Sequence, residues 1–492
     1  RKTKYYIKKK IMPLLLAVAM AGTATPIYVA HPAIVKAAVS NAFGTKENTI
    51  EAIERKKQLR EMAARRGLVY IDIWSRMAHE GSMPSELTVD GIHLNAAGYA
   101  RWIEALTPYV TPAGARTGTV RYEGRSVEGV VVSDGDRCAV TDAAGRFVLP
   151  ANDRARFLFV STPAGYTSPV EQGVVRFFRP VTPRNDGYDF TLVRNTADDK
   201  RHGFAVIADP QLFDRKELRL LENAAADIRR TARAAEKQGR PMHGICVGDI
   251  TSGDHGFYSD YNRILATTGI GFRNAPGNHD MKLWGRSFER STAAYEAVYG
   301  PSYYSYNVGR AHYVVLNDNF YIGRDWYYIG YLDERQLAWL EEDLAHVPAG
   351  STLFVALHIP TSFPGKEQQP FLYPQAETSL CNFRALHELL APYNAHILSG
   401  HMHTAMNCEI RPNLYEHNIA ALSGAWWQGP VCTDGTPAGY ALFEVDGDSV
   451  TWYYKATGER REYQLRLYDA ADDPAYAGRI VANVWDSDPA WR

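Results

Sequence analysis

Cysteine is scarce in these 492 residues: Cys138, Cys246, Cys381, Cys408 and Cys432 are scattered and odd in number. No CxxC spacing suggests zinc, and no dense pattern suggests a disulfide scaffold. An excess of one charge is also missing, since 54 basic residues face 55 acidic ones. Polyanion-binding surfaces are basic, so no nucleic acid partner is expected. The apolar run near the start, Ile11 to Ala21, falls short of the roughly 20 residues that cross a bilayer, so no stable membrane span is expected. It follows Arg1, Lys2, Lys4, Lys8, Lys9 and Lys10 and ends among small residues. That order reads as a secretory signal over 1–25, with a periplasmic or secreted bacterial protein as the consequence. The competing reading is a core segment of a truncated domain.

What is present is a globular composition, 46% hydrophobic and 22% charged, in a chain long enough for three or four units. Residues 46–66 predict a basic helix, followed by a short buried strand over 68–73 and the stretch "DGIHLNAAGY" at 90–99. From 116 to 196, short alternating strands with Asp-Gly and Ala-Gly turns predict a small β-sandwich. It contains no cluster of catalytic residue types, so a spacer or docking role is expected. From 200 to 456, strand-like runs alternate with helical segments such as "KELRLLENAAADIRRTARAAEKQ", which argues an α/β core. Residues 457–492 start a further β unit that looks incomplete.

Within the α/β segment, metal-ligating residue types recur at the carboxyl ends of apolar runs. They are Asp209 and Gln211, Asp249, Asn278 and His279, His358, and His401 and His403. Ligands bind in open α/β sheets at that end of the strands. Two divalent cations can clamp a phosphoryl oxygen and turn a shared water into hydroxide. A carboxylate such as Asp249 can bridge them, while imidazoles and amide oxygens suit Mn, Fe or Zn over Ca. Gly248, Gly277 and Gly400 each precede a ligand position, where the backbone must turn or come close.

The ordered set "DPQ", "GDITSGD", "GNHD", "HIP" and "GHMH" over about 200–425 resembles the calcineurin-like metallophosphoesterases. The resemblance implies a four-layer α/β/β/α core and two divalent metals. Asp209, Gln211, Asp249 and His403 would hold one metal, and Asp249, Asn278, His358 and His401 the other. It further implies that His279 faces the substrate, with Asp254 as a possible orienting partner. Some relatives also carry Asp-Pro-Gln, so Gln211 is read as a working oxygen ligand with a weaker or water-assisted metal position. The β module in front resembles carboxypeptidase-regulatory or transthyretin-like modules, an arrangement similar to a bacterial secreted subgroup.

The expected reaction is hydrolysis of a phosphomonoester or phosphodiester by a bridging hydroxide. Tyr303, Tyr304, Trp326, Tyr327, Tyr328, Trp426 and Trp427 stand in predicted loops. Of these, Tyr304, Trp326, Tyr328 and Trp427 are taken as substrate-binding candidates, with Arg324 and Lys366 as weaker phosphate contacts. A second resemblance lies in "DGIHLNAAGY", which is similar to the last motif of SGNH (GDSL-like) esterases. Asp90 and His93 would be two triad members there, but residues 26–112 cover only the tail of that fold. With no nucleophilic serine motif, the pair has nothing to activate and is read as vestigial. The alternatives are an extracytoplasmic binding or scaffold protein with a weak metal site, or a residual carboxylic-ester hydrolase.

Overall fold

The computed structural model describes residues 50–65, 70, 72–79, 83–89, 93–102, 115–182, 187–282, 285–323, 327–362, 378–469 and 474–485. The signal-like segment, Asp90, Arg324, Trp326 and Lys366 lie outside them. The chain divides into two compact units, residues 1–115 with 150–154, and residues 116–149 with 155–492. Among the described residues no helix is long and apolar enough to cross a membrane.

In the first unit a helix runs over Ile50–Arg65 and a short one over Ile73–Met77. Ile73, Met77 and Trp102 form a small core with Met83, Leu94 and Tyr99 against it. His93 is exposed.

The second unit holds the α/β fold, a mixed α/β architecture with several sheets. Its first sheet contains β1 (Arg201–Ile207), β2 (Met242–Cys246), β3 (Phe272–Asn274), and two later strands, Gly439–Asp446 and Ser449–Ala456. β1, β2 and β3 run parallel. The second sheet contains β4 (Tyr304–Val308), β5 (Ala311–Val315), β6 (Thr352–Ala356), β7 (Asn394–Ser399), β8 (Met406–Arg411) and β9 (Leu414–Asn418). Its β5, β6, β7 and β9 are parallel neighbours. Strands in the middle of such sheets are buried on both faces and therefore read as near-continuous apolar runs, as "FAVI" and "TLFVA" do.

The sheets meet through aromatic side chains. Phe204 of β1 lies 4.8 Å from Phe354 of β6 and 5.4 Å from Tyr313 of β5, ring centre to ring centre. Helix α1 (Glu217–Lys237) buries Leu221, Ala224, Ala225, Ile228 and Ala232, spaced to share one face. Asp227 falls on that face too. It accepts hydrogen bonds from Lys455 Nζ at 2.6 Å and Tyr440 Oη at 3.0 Å, which pins α1 to the first sheet. Helix α2 (Tyr258–Ala266) reaches β3 through Tyr261, whose hydroxyl donates to Asn274. On the second sheet, helix α3 (Glu334–Leu344) is capped by Asp333 and presents Asp343 to Ser305 and His312 of β4 and β5.

The segment 116–196 forms two larger sheets, one with strands Arg116–Tyr122 and Gly187–Arg194 at its centre, the other with Phe157–Ser161 and Val131–Ser133, and a two-stranded pair of Val170–Glu171 with Val174–Val175. This segment, expected to act as a spacer or docking module, packs onto the α/β fold. One continuous core runs from Val120, Val132 and Phe159 into the α/β fold. Thr162 bridges Tyr306 of β4, with Asn307 N donating to Thr162 O at 2.8 Å. Trp339 of α3 is fully buried, packs against Phe159 and donates Nε1–H to Ser133 Oγ at 3.0 Å. Arg273 of β3 is buried, its guanidinium 4.8 Å from the Phe177 ring and hydrogen-bonded to Thr162 Oγ1. The module therefore shares its core with α3, with the edge strand β4 and with β3 of the α/β fold.

Beyond 457, a hairpin pairs Leu465–Tyr468 with Val481–Val484. Trp485 is buried with Ala420, Ala421, Cys432 and Tyr454.

Candidate metal centre

All the predicted ligand positions lie just past the carboxyl ends of parallel strands: Asp209 after β1, Asp249 after β2, Asn278 after β3, His358 after β6 and His401 after β7. Asp209, Gln211, Asp249, His401 and His403 have φ of 49, 41, 53, 69 and 54°, the left-handed region that non-glycine residues rarely occupy. Each such residue costs roughly 1–3 kcal/mol, and such strain persists where surrounding structure holds it, commonly at functional sites. The surroundings do hold it. Gln211 N donates to Asp249 O at 2.8 Å and Ser252 Oγ to Gln211 O at 3.0 Å, fastening the first ligand loop to the second. Gly277 sits so close to Asp249 that an added Cβ would lie 2.1 Å from Asp249 N. Gly248, at φ 101°, turns the chain just before Asp249.

The side chains gather into two adjoining groups. His358 Nε2 is 3.0 Å from Asn278 Oδ1 and 3.4 Å from Asp249 Oδ1, and His401 Nδ1 is 3.2 Å from His358 Nε2. His358 Nδ1 lies 2.8 Å from Val247 O, so a proton there donates to the carbonyl and leaves Nε2 facing the cluster. In the second group, His403 Nε2 is 3.5 Å from Asp209 Oδ1, and Gln211 Nε2 donates to Asp249 Oδ2 at 3.0 Å. Asp249 thus touches both.

Three buried polar atoms in the second group have no hydrogen-bond partner: Asp209 Oδ1, Gln211 Oε1 and His403 Nδ1. An unsatisfied buried acceptor costs on the order of 1–3 kcal/mol and calls for an explanation such as an ion. Electrostatics point the same way. Burial opposes charge on His358, yet Asp249 beside it holds that imidazole up to about 10. Burial would raise Asp249, but His358, His279 and His401 hold it well below the usual carboxylate range. A dry site with two carboxylates demands positive charge, and oxygen and imidazole donors fit a divalent transition metal. Asp249, His358 and His401 have ligand atoms within 4.8 Å of one another.

His279 is half-exposed; its amide donates to Asp249 Oδ1 at 2.8 Å and its Nε2 is 4.0 Å from Asp249 Oδ2. Asp254 does not serve it. Its carboxylate accepts from Gly256 N at 2.9 Å, capping a short helical turn. The residue beside His279 is instead His255, which faces the His279 and Asp280 backbone and stacks on Tyr258. Three further residues hold the loops. Asp280 is fully buried and accepts from Gly277 N, Ile250 N and Tyr258 Oη. Asp318 accepts from His358 N and Ile359 N. Tyr327 donates from Oη to Asn278 O at 2.7 Å. The sequence signal was present for Asp280, the last letter of "GNHD", but a buried carboxylate bound only by backbone and a phenol has no distinctive neighbours in the chain.

Among the substrate candidates the structure makes corrections. Tyr304 is a core residue, 1% exposed, donating to Asn274 O and packed on Phe177. Tyr328 is buried with Met281, Tyr321 and Ile359, its ring edge-on to His401 at 6.1 Å. Trp427 donates Nε1–H to Pro210 O at 2.8 Å, so it positions the Asp209–Gln211 loop. Trp426 is the exposed one of the pair.

Glu416 of β9 anchors the chain after His358. It accepts from Thr361 N at 2.8 Å, Thr361 Oγ1 at 2.5 Å, Ser362 N at 2.8 Å and Ser399 Oγ at 2.9 Å. Burial pushes its carboxyl from the ordinary 4.5 up to about 7, against these donors. Because the folded state holds this proton more tightly, its contribution to stability is full below pH 4.5 and is lost as pH rises to about 7. In Glu416→Gln that slope, at most about 1.4 kcal/mol per pH unit, should flatten in urea titrations between those limits. The substitution itself should cost about 1–3 kcal/mol through the lost acceptor.

Residues 203–405 match the calcineurin-like phosphoesterase family model. Residues 114–195 and 416–492 match the models of its N-terminal and C-terminal parts. The comparison with curated proteins found no match. Among solved structures, a dimetal phosphatase from Danio rerio is 15% identical, with 58% of this chain and 99% of that chain covered and a TM-score of 0.36. A 5'-nucleotidase from Candida albicans is 12% identical, with coverages of 54% and 53% and a TM-score of 0.32. This chain therefore carries a calcineurin-like phosphoesterase domain between that family's N- and C-terminal modules, and is a hydrolase that acts on phosphoesters.

Proposed function

We propose that Asp209, Gln211, Asp249, Asn278, His358, His401 and His403 hold two divalent metal ions, with Asp249 shared between them, and that the protein hydrolyses a phosphomonoester or phosphodiester there. The observation that carries this reading is the trio of orphaned buried atoms on Asp209, Gln211 and His403, adjoining the Asp249–Asn278–His358–His401 group. When bound, the metals would supply Lewis-acid stabilisation of phosphoryl charge and a nucleophile at neutral pH.

The chain's own residues do the rest. Val247 O fixes the His358 tautomer, so Nε2 is presented as a donor atom. Gln211 contributes a neutral oxygen that needs no deprotonation, and the bond from its Nε2 to Asp249 Oδ2 fixes which way that oxygen points. His279, half-exposed beside Asp249, is placed to donate a proton or hydrogen bond to the leaving oxygen. Cleavage of p-nitrophenyl phosphate and of bis(p-nitrophenyl) phosphate tests the reading. Turnover should vanish after chelation and return with Mn, Fe or Zn; unchanged turnover in chelator would overturn it.

A further inference from the structure

The loop 421–429 carries "ALSGAWWQG" and is bolted to the first ligand loop. Leu422 N donates to Ala208 O, Ser423 Oγ to Asp209 O, and Trp427 Nε1 to Pro210 O, all at 2.8 Å. Both tryptophans sit at positive φ, 50° for Trp426 and 59° for Trp427, a rare conformation for bulky residues. At Trp427 the strain is matched by the indole bond to Pro210. At Trp426 its counterpart is a ring placed 4.8 Å from the His403 ring, tilted by 40°, while the residue stays 48% exposed. Exposing a large aromatic side chain on a strained backbone is doubly unfavourable for folding alone. Phe213, 70% exposed, leaves the adjoining ligand loop two residues after Gln211.

We infer that Trp426 forms a leaving-group subsite beside His403, taking phosphoesters whose alcohol carries a flat aromatic ring. The subsite rests on the metal-centre reading above. A phosphoryl group held near Asp209 and His403 would bring the ester oxygen's substituent alongside the indole. Ring-on-indole stacking contributes roughly 1–3 kcal/mol by alanine substitution and tolerates different rings. A short alkyl ester has no surface to stack and should be indifferent to Trp426.

The experiment follows binding of phenylphosphonate and methylphosphonate to the metal-loaded protein by calorimetry, in wild type, Trp426→Ala and Trp426→Phe. Wild type should prefer the phenyl compound by about tenfold, which corresponds to about 1.4 kcal/mol. Trp426→Ala should abolish the preference without changing methylphosphonate affinity or metal stoichiometry, and Trp426→Phe should keep most of it. In turnover, Trp426→Ala should raise KM for p-nitrophenyl phosphate about tenfold, leave kcat unchanged, and leave glycerol phosphate hydrolysis unaffected. Equal phosphonate affinities in wild type, or equal losses on both compounds in Trp426→Ala, would overturn the subsite alone. If neither phosphonate binds, the metal-centre reading falls and the subsite falls with it.

Discussion

Asp249→Asn should reduce phosphoester turnover by about a thousandfold or more, equivalent to about 4 kcal/mol of transition-state stabilisation, with the fold retained. Asn has the same shape, and its Oδ1 can still accept from His279 N, where Asp249 Oδ1 now does. The other oxygen becomes an NH2 group facing Gln211 Nε2, and the Gln211 amide can rotate to answer it. What disappears is the negative charge common to both ligand groups. His358 would lose the principal interaction that holds its pKa up to about 10. A purified Asp249→Asn protein with wild-type turnover and wild-type metal content would show that this carboxylate is a bystander.

Trp339→Ala should destabilise the second unit by about 3–5 kcal/mol, the cost of deleting a large buried aromatic. The indole is fully buried and contacts Phe159 and Tyr303, and its removal takes away one of the two donors to Ser133 Oγ, the other being Gly135 N. Because Phe159 and Ser133 belong to the β module and Trp339 to the α/β fold, both should melt together in one earlier transition. Urea unfolding followed by far-UV circular dichroism and by phosphoesterase activity should give coincident midpoints. A variant whose module unfolded separately, with activity surviving, would contradict the shared core.

That the candidate ligand residues gather at one place was legible in the sequence, because metal-ligating residue types recur where the apolar strand runs end. The apolar runs before Asp209, Asp249 and His358 marked those ends. The residues that hold the ligands were not legible. Asp318 and Tyr327 act on His358 N and Asn278 O from other loops, and their contacts exist only once the sheets are assembled. Aromatics were misassigned for a related reason. Tyr304 and Trp426 look alike in a loop-rich sequence, yet one donates to Asn274 O in the core while the other stands beside His403. Adjacent Trp426 and Trp427 differ in what their rings meet: one lies beside the His403 ring, and the other donates to Pro210 O.

The dependence on the β module was hidden for another reason. Its interface is spread over distant, individually ordinary residues, such as Ser133 with Trp339, Ser161 with Ser305, and Thr162 with Arg273. Nothing in a strand pattern with Gly turns says which face will be covered. Trp339 and the uncompensated Arg273 were the available hints, since a buried guanidinium without a carboxylate needs aromatic faces and hydroxyls that its own strand does not supply.

Elemental analysis of the purified, metal-reconstituted protein tests the central claim most directly. Two divalent ions per chain are predicted, falling in Gln211→Ala to one firmly held ion, because Gln211 belongs to the Asp209–His403 group alone apart from its bond to Asp249. No bound metal in protein that still turns over phosphoesters, or the same two ions in Gln211→Ala, would contradict the site as drawn.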